Sequence, residues 1–378
     1  MKIIHLSDLH LGKRVNEFSM LEDQQYILRR ILQITEREKP DAVIIAGDVY
    51  DKPIPPAEAV TMFDDFLVRL AGIKLQVFVI SGNHDSAERI AFGGRLMNVS
   101  GIHMSPVYGG EVEPVVLRDG YGEVRVYMLP FVKPSDVRHA YPEEETGSYT
   151  EAVQTAVSHM NADPSVRNVL VAHQFVTGAV RSESEDVSVG GMDNVDVSVF
   201  DVFDYVALGH IHGPQHIGRE TVRYCGTPLK YSFSEKDHRK SVTVVTMGKK
   251  GETAVGTVPL EPKHDMREIR GTYEELTLKT NREGTAADDY LHVVLTDEDD
   301  VPDALARLRT IYPNIMKLDY DNTRTRNSAW TAAAEETRRK SGIELFGEFF
   351  EKQNGRPMSG EQYAFSEQLL RKIREEMR

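Results

Sequence analysis

Five short apolar runs punctuate the first part of the chain: Ile3-Ile4, Ala42–Ala46, Val77–Ile80, Val169–Ala172 and Tyr205–Leu208. Most are rich in β-branched residues, and each is closed by Gly, Ser, Asp or His. That pattern predicts buried strands. Stretches of helical periodicity lie between several of them, notably Leu21–Arg37 and Ala57–Leu70. Strand–helix alternation predicts a layered α/β core. Between Pro106 and Met128, and again from Val222 to Val258, short strands alternate with Gly turns. A second, more antiparallel sheet is expected there.

The pattern resets at Pro262-Lys263-His264. Strand (Arg267–Arg270), helix (Thr272–Leu278), strand (Tyr290–Leu295), helix (Val301–Ile311) and strand (Ile315–Tyr320) come next, predicting a small α/β domain. Residues 321–340 are polar and mixed in charge, as a linker would be. Beyond them Ile343, Phe346, Phe349 and Phe350 recur at helical spacing, and Gly355-Arg356-Pro357 ends that helix. Ser359 with Gln362 three residues on forms a capping box, and Leu369, Ile373 and Met377 carry an apolar stripe at i, i+4, i+8. The expected division is 1–264, 265–328 and 329–378.

The composition of the 378 residues, 40% hydrophobic and 28% charged, fits a globular protein. No run approaches the ~18 apolar residues of a membrane span. The apolar start, Met1 to Leu6, is too short for a signal peptide, so a cytoplasmic protein with no membrane partner is expected. The single cysteine, Cys225, excludes an internal disulfide and a thiolate-rich metal site. The net charge of −14 weighs against non-specific nucleic-acid binding. It does not exclude a nuclease, because carboxylates that hold divalent metals count as negative until the ions reverse the local field.

The ends of the five strands carry the chemistry. They read Ser7-Asp8-Leu9-His10, Ala46-Gly47-Asp48, Ser81-Gly82-Asn83-His84-Asp85, Ala172-His173 and Leu208-Gly209-His210-Ile211-His212. Loops at the carboxyl ends of strands in an α/β sheet converge on one crevice. Asp8, His10, Asp48, Asn83, His84, His173, His210 and His212 should therefore face one site. Oxygen and imidazole donors without thiolates suit Mn, Fe or Zn. So many candidates suit two ions sharing a bridging carboxylate, an arrangement that favours phosphoester hydrolysis. Any one of these motifs alone reads equally well as turn chemistry; five strand ends together do not. Gly47 and Gly82 read both as turn residues and as points of close backbone approach.

Asp-x-His, Gly-Asp, Gly-Asn-His-Asp, a lone His and Gly-His-x-His, in that order, resemble the calcineurin-like metallophosphoesterases. Within them the chain is similar to the SbcD family of bacterial nuclease subunits. The opening Met1 to Gly12, the segment Tyr224-Cys225-Gly226-Thr227-Pro228-Leu229-Lys230-Tyr231-Ser232-Phe233, and the tail around Leu345-Phe346 and Ser359–Gln362 carry that likeness. The resemblance implies a two-sheet α/β sandwich flanked by helices, with a small α/β cap domain and a C-terminal helical tail. It implies one metal held by Asp8, His10, Asp48 and His212, and another held by Asp48, Asn83, His173 and His210. Asp48 bridges, and manganese is the expected ion.

The same resemblance makes His84 a catalytic group over the scissile phosphate, oriented by Asp85. Asp51 stands where archaeal and eukaryotic relatives carry His, and is expected just behind the ligands. The implied activity is exonuclease and endonuclease action on DNA ends and hairpins in double-strand-break processing. The implied partners are DNA, a second copy of the chain, and the coiled-coil base of the SbcC ATPase. Phe346, Phe349, Phe350, Leu369 and Ile373 are the expected ATPase contacts. Ala57–Leu70 and Ala87–Met97, with Ile90, Phe92 and Leu96, are the candidate dimer contacts. Two rivals keep the fold: a small-molecule phosphatase or nucleotidase, which needs neither cap nor tail, and a non-catalytic scaffold, which would not need the intact donor set.

Overall fold

The computed structural model describes residues 1–185, 193–279, 285–326, 343, 346–347, 350–351 and 357–376; of Glu361 and residues 370–376 it describes the backbone alone. The described chain divides into two compact units, one of residues 1–186, 193–268 and 288–292, the other of 187–192, 269–287 and 293–378. Residues 265–268 and 288–292 of the expected cap fall in the first unit.

The first unit is built on two six-stranded sheets. One runs Thr253–Pro259, Ser241–Met247, Lys2–Leu6, Ala42–Ala46, Gln76–Ile80, Ile102–Met104 in spatial order. The other runs Gln215–Ile217, Arg219–Tyr224, Tyr205–Gly209, Arg167–His173, Gly122–Met128, Val115–Asp119. The sheets share a core in which Ile3, Ile44, Phe78 and Val245 of the first meet Val126, Val169, Val171 and Ala207 of the second. The outer face of the second sheet is covered by the helices Pro134–Ala140 and Tyr149–Ser158, through Val137, Val153 and Ala156. The helices Leu21–Glu38 and Ala57–Gly72 match the two apolar periodicities and bury Ile27, Ile31, Phe63 and Phe66.

The antiparallel stretches do not form a sheet of their own. The hairpin Val115–Met128 closes one edge of the second sheet, and the hairpin Ser241–Pro259 lies antiparallel to Lys2–Leu6 on the first. The reason is packing: each inner strand has an apolar face, Val124, Val126 and Met128 or Val245 and Met247, which is buried only within the shared core. The five chemistry-bearing runs accordingly split three and two between the sheets.

The strands Met266–Gly271, Tyr290–Leu295 and Ile315–Tyr320 form a three-stranded sheet in that order, and short helices cover Tyr273–Thr277 and Ala304–Arg309. In the tail, Gly360–Glu376 is helical. Its expected capping box forms: the Ser359 N–H donates to Gln362 Oε1 (2.9 Å) and the Gln362 N–H to Ser359 Oγ (3.3 Å).

The two sheets touch at the carboxyl ends of Ala42–Ala46 and Tyr205–Gly209. A β-carbon on Gly209 would collide with the Ala46 carbonyl of the opposite sheet and with the His173 ring. Gly209→Ala should therefore part the sheets locally, at a cost of about 1–3 kcal/mol, as overpacking does. Urea unfolding in EDTA measures it; an unchanged midpoint would show that the sheets give way freely.

Candidate metal centre

The strands Lys2–Leu6, Ala42–Ala46 and Gln76–Ile80 run parallel, so their carboxyl ends emerge together. Arg167–His173 and Tyr205–Gly209 do the same in the second sheet, with Gly209 paired to His173. The first two exits are laced to each other: Asp8 N–H donates to the Gly47 carbonyl (3.0 Å), His10 N–H to that of Asp48 (3.0 Å), and Leu11 N–H to that of Val49 (2.9 Å). Asp8 (φ 53°), His10 (φ 44°), Asp48 (φ 48°) and His210 (φ 102°) all have positive φ without being glycine. Such backbone costs of order 1–3 kcal/mol per residue and concentrates at functional sites. A β-carbon on Gly47 would strike the His173 ring, and one on Gly82 the Asp48 carboxylate, so both glycines are points of close approach.

The structure brings the donors together. Asp8, His10 and His212 offer ligand atoms within 4.8 Å of one another, as do Asp8, Asp48 and His173. His10 Nε2 lies 3.2 Å from His212 Nε2 and 3.7 Å from Asp48 Oδ2. His173 Nε2 lies 3.3 Å from Asp48 Oδ2, while Asn83 Oδ1 is 3.0 Å from both His173 Nε2 and His210 Nδ1. Asp8, His10, Asp48, His173, His210 and His212 are buried, and Asn83 is half-buried. The His173 Nδ1–H donates to the Ala46 carbonyl (2.8 Å), which leaves Nε2 to face the cluster. Asp8 is steadied by the His210 N–H (3.0 Å) and by the Ser7 hydroxyl.

Burial opposes charge throughout. It pushes Asp8 up to about 6, His210 down to about 3, and His10 well below the usual histidine range. Asp48 ends well below the carboxylate range although burial pushes the other way, because His173 beside it is charged. Burial likewise opposes charge on His173, but Asp48 draws it up to about 9. The His10 and His210 imidazoles, kept neutral, retain their lone pairs, and two buried carboxylates favour a cation beside them. The donor set therefore fits divalent metals.

His84 is half-buried and sits edge-on to His10, ring centroids 4.9 Å apart. Its Nδ1 is 3.1 Å from the Asp51 carbonyl oxygen. The Asp85 carboxylate accepts the backbone N–H groups of Tyr50 (2.9 Å), Gly82 (2.9 Å) and Val49 (3.1 Å). Asp85 ties the Asp48 and Asn83 loops together, and the Asp51 carbonyl meets the His84 ring. The Asp51 carboxylate lies 3.7 Å from His10 Nδ1 and 2.6 Å from Lys13 Nζ. On geometry alone His84 is also admitted as a ligand, since a donor atom of it lies within 4.8 Å of donors on His10 and Asp48.

Sequence reasoning missed a set of supporting residues. Gln24 donates to the His10 carbonyl (2.7 Å), Tyr231 donates to that of Leu9 (2.6 Å), and Ser184 and Glu235 face His212 Nδ1. Tyr231 belongs to, and Glu235 lies just beyond, the Tyr224–Phe233 segment already singled out; nothing in the chain's pattern marks Gln24 or Ser184. Among the expected partner contacts, Phe346 and Leu369 are exposed and Phe350 is half-buried. Phe349 lies outside the described residues, and the Ile373 side chain is not described. Of the dimer candidates Phe92 and Leu96 are exposed, but Ile90 is buried in the core.

The profile described as "Calcineurin-like phosphoesterase" matches residues 1–214, and that of "Type 5 capsule protein repressor C-terminal domain" matches residues 262–354. The chain is 33% identical to the SbcD subunit of nuclease SbcCD from Staphylococcus epidermidis, over 84% of this chain and 85% of that protein. It is 32% identical to the protein of the same name from Staphylococcus saprophyticus, over 84% of each. Among solved structures, a dimetal phosphatase from Danio rerio is similar at a TM-score of 0.42 and 11% identity, over 69% of this chain and 98% of that one.

If the cluster holds divalent ions, they stabilise the folded chain. Each site at 100 times its Kd contributes about 2.7 kcal/mol. Manganese should therefore raise the thermal midpoint and EDTA should reverse the shift, while Asp48→Asn should lose most of it. An Asp48→Asn protein with the full shift would mean that Asp48 is not shared.

Proposed function

The chain belongs to the calcineurin-like phosphoesterases and, within them, to the SbcD family of nuclease subunits, and on that premise we propose that it is a manganese-dependent DNA phosphodiesterase acting with the SbcC ATPase. The observation that carries this reading is the convergence of seven oxygen- and nitrogen-donor residues, Asp48 among them, with His84 at their side.

Asp8, His10, Asp48 and His212 would hold one ion, and Asp48, Asn83, His173 and His210 the other. Two bound ions would supply a nucleophile from water at neutral pH and offset charge on the attacking and leaving oxygens. The chain's own contribution is placement. Burial keeps the His10 and His210 imidazoles neutral, and the left-handed turns aim the carboxylates inward. His84, whose Nδ1 meets the Asp51 carbonyl, would stand over the scissile phosphate and protonate the leaving oxygen. Substrates would be DNA ends, hairpins and single strands, with the second unit helping to position duplex.

The tail would dock on the coiled-coil base of SbcC. Phe346, Tyr363, Phe365 and Leu369 are exposed apolar side chains of the tail, available as anchors for a helical partner. A second exposed apolar group, Ile54, Val60, Phe92, Leu96 and Val99, would be the homodimer contact.

Two experiments test the reading. His84→Ala should bind two manganese ions by calorimetry yet cleave DNA ~10²–10⁴-fold more slowly, as loss of a general acid does; a lost binding site would make His84 a ligand. Removal of residues 341–378 should leave manganese-dependent cleavage of single-stranded DNA intact and abolish SbcC binding. A pull-down in which the shortened chain holds SbcC at full affinity would remove the tail from that role.

A further inference from the structure

The Tyr224–Phe233 segment and the residues just beyond it lie outside the donor set, yet the structure wraps them around one donor. His212 presents Nε2 to the cluster and turns Nδ1 away from it. Nδ1 lies 2.8 Å from Ser184 Oγ and 3.2 Å from Glu235 Oε1. The Ser184 hydroxyl itself donates to Glu235 Oε1 (2.6 Å). Glu235 is fully buried, far from where a carboxylate is stable unless paired. Its pair is Lys240, buried as well, whose Nζ is 2.5 Å from Glu235 Oε2. Lys240 also donates to the His212 carbonyl (2.9 Å) and to Thr227 Oγ1 (2.6 Å). The ion pair thus grips His212 twice, at its ring and at its backbone.

Resting on the two-metal reading above, we propose that Glu235, held in place by Lys240, is the positioning residue for His212. Glu235 accepts the Nδ1–H and so fixes the tautomer in which Nε2 carries the lone pair. A histidine that ligates through one nitrogen needs the other nitrogen's proton placed, and the group that places it sets ring angle and affinity. Ser184 shares that proton but is held by Glu235 in turn. The two charges of Glu235 and Lys240 cancel, so the cluster gains an orienting acceptor without gaining a net charge. The Gly226-Thr227-Pro228 turn has a place in the same scheme. Gly226 (φ 77°) lets the chain pass against the His212 carbonyl, and Thr227 binds the Lys240 ammonium.

The test is manganese binding to the full-length chain, read by calorimetry and by electron paramagnetic resonance of the bound ions. The informative variant is Glu235→Leu combined with Lys240→Met. Replacing both members of a buried pair with apolar groups commonly preserves folding, whereas removing one strands a charge. The pair of substitutions should weaken one manganese ion by ~10–100-fold and leave the other unchanged, as loss of such an outer partner does. His212→Ala should lose the same ion. Glu235→Gln combined with Lys240→Met, which keeps an acceptor oxygen at 235 without stranding a charge, should retain both ions within a few-fold. Wild-type affinity for both ions in Glu235→Leu/Lys240→Met would overturn the proposal. So would a loss in Glu235→Gln/Lys240→Met as deep as in Glu235→Leu/Lys240→Met, because an acceptor oxygen at 235 would then contribute nothing to the ion. A wild-type protein that binds fewer than two ions would instead overturn the two-metal reading itself.

Discussion

The folded chain buries two carboxylates and four imidazoles against one another where the strands of two sheets end. No arrangement of protons makes that comfortable. Charging the imidazoles costs desolvation, and leaving them neutral strands Asp8 and Asp48 as buried anions. A divalent cation resolves both difficulties at once, because it is paired with the carboxylates and takes the imidazole lone pairs. The other features of the site serve that crowding. Left-handed turns at Asp8, His10 and Asp48 aim side chains inward, glycines at 47, 82 and 209 let the loops and sheets touch, and Asp85 draws the Asp48 and Asn83 loops together through three backbone amides.

The layering of the fold arises from the same requirement. Neither sheet alone carries enough donors: Asp8, His10, Asp48 and Asn83 lie just past strands of one, and His173, His210 and His212 lie at strand ends of the other. The apolar faces that hold the sheets together, Ile44 and Phe78 against Val169 and Ala207, therefore also set the distance across the metal centre. Side chains remote from the ions act on them through that spacing.

Much of this is readable along the chain, because strands announce themselves by β-branched runs and the donors sit where those runs stop. The elements of the second unit and the Ser359–Gln362 box are equally plain, since local periodicity and capping are short-range properties. Sheet membership is not. The hairpins around Glu123 and Lys249 look like a sheet of their own until their inner faces find the shared core. The supporting residues are less visible still. Glu235 lies 23 residues from His212 and meets it only in three dimensions. Asp85 stands beside His84 in sequence, yet its carboxylate is taken by the backbone of two loops. Ile90 has the spacing of an exposed contact and is instead buried.

The account stands on two cations sharing Asp48. Anomalous scattering at the manganese edge from a metal-soaked crystal measures that directly. Two peaks roughly 3.5–4 Å apart are predicted, one among Asp8, His10, Asp48 and His212, the other among Asp48, Asn83, His173 and His210. A single peak, or a peak whose ligands include His84 in place of one of these residues, would contradict it.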